Sequence, residues 1–128
     1  MLVPKNIKLI SVLVILFETS CAPVPLEKQF ESIKDYDKER LLQQYPVGTP
    51  REQILAIEGN SKPNSTWVPG QRPFDYFMKL AIDDLTKQGF SVSQADFYFR
   101  SAWPSLYGDY VFYDAEHKII RAYRRYVD

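Results

Sequence analysis

From Ala95 to Tyr126 polar and apolar residues alternate with a period of two, which commits the last third of the chain to β-sheet. Asp96 to Trp103 (DFYFRSAW) reads as one strand, Asp109 to Tyr113 as a second and Lys118 to Tyr126 as a third. Pro104 to Gly108 reads as the turn between the first two. Asp114-Ala115-Glu116-His117 joins the last two as a hairpin. It fits a type I turn followed by a left-handed residue that closes a bulge, and this puts His117 at positive φ.

The residues before Ala95 read as helices. Asp35 or Asp37 can cap a short helix running to about Gln44, which Pro46 and Gly48 end. Thr49 as N-cap, Pro50 at the first helical position and Glu52 three residues on form a capping-box signature. Ile54, Leu55 and Ile57 give that helix an apolar stripe, and Gly59 is its natural stop. Gly59 to Pro73 is a loop in which Ser65 to Val68 can form a brief strand. Phe74 to Gln88 has helical spacing at Phe77, Leu80, Ala81, Asp84 and Leu85, and Gly89 ends it. Asp83-Asp84 reads as a solvated face of this helix. The expected fold is α+β, with two or three helices packed on one face of a three-stranded antiparallel meander sheet.

The first 21 residues have the order of a bacterial export signal. Lys5 and Lys8 precede the apolar run Leu9 to Phe17, and Thr19-Ser20-Cys21 suits a lipid-attachment site. The run is shorter than the roughly 20 apolar residues that a bilayer span needs. Residues 1–20 therefore read as a removable signal. Residues 21–34 read as a lipidated N-terminus with an extended tether biased by Pro23 and Pro25, and residues 35–128 as the domain. Glu18 is atypical where such signals carry an aliphatic residue, and should slow processing. Ala22 is not the Asp that commonly retains such proteins at the inner membrane. The expected location is the outer membrane, with the domain facing the periplasm.

Composition narrows the chemistry. Cys21 is the one cysteine, so an intramolecular disulfide is impossible, and acylation would remove a free thiol from an oxidising compartment. Without Lys5, Lys8 and Glu18 there are 14 basic and 15 acidic side chains, a net charge near −1 that would not attract nucleic acid. Nine Tyr, eight Phe and two Trp supply the buried area that a small domain without disulfides needs.

Several segments taken in order resemble the SmpA/OmlA (BamE-like) family of small bacterial outer-membrane lipoproteins. Tyr45 to Leu55 (YPVGTPREQIL) is similar to that family's glycine, helix start and aliphatic stripe. Gly59 falls where the family helix ends, although Glu58 replaces the usual Leu and the following proline comes only at Pro63. Thr66-Trp67-Val68 resembles its first aromatic strand. Tyr110 to Asp114 followed by Lys118-Ile119-Ile120 is similar to its closing hairpin. Residues 70–104 carry an inserted segment, with a helix near 74–88, that the small members lack. The resemblance implies a two-helix, three-strand scaffold with an addition, and a lipoprotein that binds other envelope proteins. Secreted β-lactamase inhibitors share the layout, so an inhibitor-type module acting on a periplasmic enzyme is the alternative.

No catalytic constellation emerges, and the chain is expected to be non-enzymatic, without metal or cofactor. His117 is the one histidine; with Asp114 and Glu116 it sits on a tight turn where three side chains do not converge easily on an ion. Alternation instead suggests a binding face. Phe97, Phe99, Ile120 and Ala122 are suited to packing against Leu41, Ile54 and Leu55. Tyr98, Arg100, Arg121, Tyr123 and Arg125 would then share the outer face as a partner-binding set, since Tyr and Arg dominate interface hot spots. The competing assignment is a solvated face with cross-strand ion pairs, for instance to Asp109.

Overall fold

The computed structural model describes residues 24–127, so the signal segment and Cys21 lie outside the described residues. The described chain is α+β. Its helices are α1 (Leu26–Ile33), α2 (Lys38–Gln44), α3 (Arg51–Leu55) and α4 (Tyr76–Lys87). Its strands are β1 (Ser65–Trp67), β2 (Gln94–Ala102), β3 (Ser105–Tyr113) and β4 (Ile119–Val127), in one antiparallel sheet of order β1-β2-β3-β4. The short segment at Ser65 is thus a fourth strand, paired with Ala95 to Phe97.

The helices cover both faces of the sheet, not one. Phe30 of α1 and Phe77, Met78, Ala81 and Leu85 of α4 form one core with Ala95, Phe97, Tyr110, Phe112 and Tyr123. Leu41 and Tyr45 of the α2 segment and Ile54 of α3 form a second core with Tyr98, Val111, Tyr113, Ile119 and Ala122. The chain passes from one face to the other around the β4 edge. Arg121 there donates to the carbonyl of Lys34 (2.5 Å) and to Asp35 (2.9 Å), and the Tyr126 hydroxyl donates to Asp37. This crossing strap and the three-residue β1 protect the two edges from pairing with another chain.

Several boundaries differ from the sequence reading for identifiable reasons. The stretch 21–34, read as an extended tether, is helical over Leu26–Ile33, because Phe30 is buried edge-on against Phe77 at 5.2 Å. Thr49 does not cap a helix. Its carbonyl accepts from Ile119 N (2.9 Å) and Gly48 N donates to Ile119 O (2.8 Å), which holds Pro50 extended and starts α3 at Arg51. That helix ends at Leu55, before Gly59. Asp37 stands before α2 in the left-handed region and makes no side-chain cap; its carboxylate is bonded to Tyr126. Asp75 does cap α4, accepting from Met78 N at 2.8 Å. Asp84 is not a solvated residue, since it accepts from the Tyr123 hydroxyl at 2.9 Å.

Gly108 is not in a turn. β3 begins at Ser105, directly after Trp103-Pro104, and Gly108 lies within it opposite Phe99. A Cβ at Gly108 would stand 2.5 Å from the Phe97 ring, so the glycine makes room for a core aromatic. The expected turn at His117 is present, with φ of +59°. Asp114 Oδ1 accepts from Glu116 N and Lys118 N, and the extra residue shifts the β3–β4 register between Phe112 and Tyr113.

Candidate interaction site

The expected binding set does not form one surface. Cross-strand register places Phe97, Tyr110 and Tyr123 in one row, and the adjacent Tyr98, Asp109 and Arg124 in another. Side chains of neighbouring rows point to opposite faces. Tyr98 and Arg100 therefore lie on the α2/α3 face, and Arg121, Tyr123 and Arg125 on the α1/α4 face. Tyr98 and Tyr123 are 1% and 0% exposed, so both are core. Alternation reveals which residues of one strand share a side. It does not reveal which side of the next strand matches, and here the match was inverted.

Arginine contacts complete the correction. Arg100 lies 4.6 Å over the Tyr98 ring and donates to Gly59 O (2.9 Å) and to Asn60 Oδ1, pinning the loop after α3. Arg121 lies 4.3 Å over Tyr123 while holding Lys34 and Asp35. Hydrogen bonding and charge from Arg121 keep the Asp35 carboxyl below its usual range, against a smaller desolvation effect.

The strongest electrostatics are buried on the α2/α3 face. Asp109 is fully buried and receives Arg124 bidentately, at 2.7 and 3.0 Å, with the Tyr45 hydroxyl at 2.7 Å. Arg124 also donates to Gln44 at 2.7 Å. Asp96, also fully buried, receives Arg51 at 2.8 and 3.1 Å and Thr66 at 2.8 Å. Each carboxylate is thus surrounded by donors and committed to holding a helix or edge strand on the sheet. On the same face the Tyr113 hydroxyl is buried without a hydrogen-bond partner among the described residues. Burial, and then the charge of Asp96, push its proton loss well above the ordinary tyrosine range.

His117 Nδ1 stands 3.1 Å from Gln94 Oε1 beside a shallow groove lined by Arg51, Glu52 and Glu116. Among the described residues no group of three or more His, Cys, Asp or Glu side chains is placed to hold a metal ion.

An apolar cleft opens where the two helical layers meet the start of β4. Leu41, Leu42 and Val47 form one wall, Leu85 and Phe90 the other, and Ile120 and Ala122 the floor; its volume is about 170 Å³. Leu42, Val47 and Phe90 are 41%, 62% and 45% exposed. Lys38, Gln88 and Arg121 supply polar groups around it. This combination of apolar centre and polar rim is the anatomy of a protein-binding patch. Sequence reasoning missed it because its walls come from segments more than 30 residues apart. One local signal was available: Val47 and Phe90 are large apolar residues placed next to glycines at helix ends.

No family model, curated protein or solved structure matches the chain.

Proposed function

We propose that this chain is a lipid-anchored envelope protein, held at the outer membrane through Cys21, whose domain binds another envelope protein from the periplasmic side without catalysing a reaction. The cleft between α2 and α4 carries the reading, because it presents three exposed large apolar residues around a concave apolar floor. The BamE-like order of motifs and the Thr19-Ser20-Cys21 signal support the same class of protein. So does the commitment of Asp96 and Asp109, which hold arginines and hydroxyls inside the fold.

The test is site-specific photocrosslinking in cells that make the protein. A photoreactive residue at Val47 should give one adduct, whose protein is identified by mass spectrometry. The adduct should disappear with Leu42→Asp and be absent with the photoreactive residue at Lys62. Adducts equally abundant at both positions, or insensitive to Leu42→Asp, overturn the cleft as the binding site.

A further inference from the structure

We infer that the opposite end of the sheet, around Trp103, seats on the lipid bilayer that holds the N-terminus. The inference rests on anchoring through the N-terminal segment. Helix α1 begins five residues after Cys21. At roughly 3.4 Å per residue this leash reaches about 17 Å. The start of α1 must therefore stay close to the membrane surface.

Contacts fix which end of the domain that is. Glu27, in the first turn of α1, accepts from the Tyr76 hydroxyl at the start of α4. Phe74, just before α4, stacks on Phe97 at 4.7 Å between ring centres. Beyond Phe97 the same face of the sheet continues through Phe99, Leu106 and Val127, with Leu106 paired to Val127. There the helices no longer cover it, and Phe74, Phe99, Leu106 and Val127 are all exposed. Trp103 projects from the β2–β3 turn at this end and is 95% exposed.

An indole in water is a poor use of the largest side chain, but at a headgroup layer its ring and N–H are both satisfied. Charge agrees with this. Residues 68–74, 97–108 and 123–127 carry Arg72, Arg100, Arg124 and Arg125, and the carboxylates that the fold brings near them, Glu27, Asp37 and Asp75, accept from Tyr76, Tyr126 and Tyr110. Of the arginines, Arg124 is buried against Asp109, whereas Arg72 is exposed and can meet anionic headgroups. Seating this end on lipid directs the cleft at Ile120 away from the membrane, because Ile120 lies at the other end of β4.

The experiment uses the full chain in vesicles of phosphatidylethanolamine with an anionic phospholipid, one acyl chain brominated. Emission from Trp103 should be blue-shifted from that of an indole in water and should be quenched in brominated relative to unbrominated vesicles, and Trp103→Phe should abolish both effects. Trp67, which is buried and bonded to Gln71 O, should contribute little to them. Emission that stays water-like and open to aqueous iodide, or that Trp103→Phe leaves unchanged, overturns the proposal. The mass of the N-terminal peptide reports Cys21 separately. If Cys21 carries no lipid, the acylation reading falls. If the same mass shows residues 1–20 retained, the apolar N-terminus still holds the chain to the vesicle and Trp103 quenching decides the docking on its own; if it shows them removed without lipid on Cys21, the anchor is absent and the docking proposal falls with it.

Discussion

Helices pack on both faces of this sheet, but through different chemistry. The α1/α4 face is joined by ring on ring: Phe30 against Phe77 and Tyr123, Phe97 against Tyr110, and Phe112 edge-on to Tyr123. The α2/α3 face is joined by buried Asp96 and Asp109, which hold Arg51 and Arg124 beneath short helices of five and seven residues. Such helices bury too little apolar surface to fix their own position, and isolated helices this short are unstable in water. Directional bonds supply position where area is scarce. The cost is that each ion must keep its partner.

The largest expected effect separates the two designs. Asp109→Ala leaves a buried guanidinium and the Tyr45 hydroxyl without their acceptor, and should destabilise by about 3–5 kcal/mol. Phe112→Ala on the other face should cost about the same, through lost burial and a cavity. Rescue distinguishes them. Asp109→Leu combined with Arg124→Met should recover much of the loss, because a well-packed apolar pair can replace a buried ion pair. No second truncation should rescue Phe112→Ala. Urea unfolding of the three variants checks this. A double variant as unstable as Asp109→Ala would show that the pair is needed for more than charge balance.

How legible each face was in the sequence follows the same division. Alternation exposed β2 and β4 because Phe97, Phe99, Arg121 and Tyr123 repeat at the spacing a strand imposes. Helical spacing at Phe77, Leu80, Ala81, Asp84 and Leu85 exposed α4, and His117 in the hairpin turn stands at the φ that the turn requires. Illegible were the interactions between distant segments. Thr49-Pro50-Glu52 satisfies a local capping rule, but backbone pairing to Ile119 overrides it. Gly108 looks like a turn residue until the Phe97 ring above it is known. Pro23 and Pro25 suggested a tether, although Phe30, the buried residue of α1, docks the helix against Phe77. The cleft was hidden for the same reason: Val47, Phe90 and Ile120 meet only after folding.

High pH should attack both faces together. Burial, with nearby negative charge, pushes Tyr98 up to about 12. It also raises Tyr45 and Tyr113 on the α2/α3 face and Tyr110 and Tyr123 on the α1/α4 face. The ordinary tyrosine value of 10 applies in the unfolded chain. Because the folded values are higher, the folded state retains protons that the unfolded state releases. The associated stability is intact below pH 10 and is lost as pH rises through the folded values. Phenolate absorbance and far-ultraviolet dichroism, titrated together, should show one cooperative transition above pH 10. Buried tyrosines that ionise at ordinary pH while the sheet persists would mean that water reaches one of the two cores.

The smallest expected effect lies at a turn whose side chain belongs to neither core. His117 holds φ of +59° at the β3–β4 turn; its ring contacts Gln94 Oε1 at 3.1 Å, while its backbone bonds to Arg51 N and Asp114 O do not depend on the side chain. A left-handed backbone costs an L-residue roughly 1–2 kcal/mol, and a glycine there avoids this cost. Glycine also adds freedom to the unfolded chain, and the substitution loses the bond to Gln94, so the gain is partly offset. His117→Gly should thus leave stability unchanged or raise it by at most about 1 kcal/mol. His117→Val should lower it by about 1 kcal/mol, because a β-branched side chain crowds the left-handed conformation most. Differential scanning calorimetry of both variants gives the order. If His117→Gly falls as far as His117→Val, the Gln94 bond outweighs backbone strain, and the hairpin is held by a side-chain contact, as the α2/α3 face is.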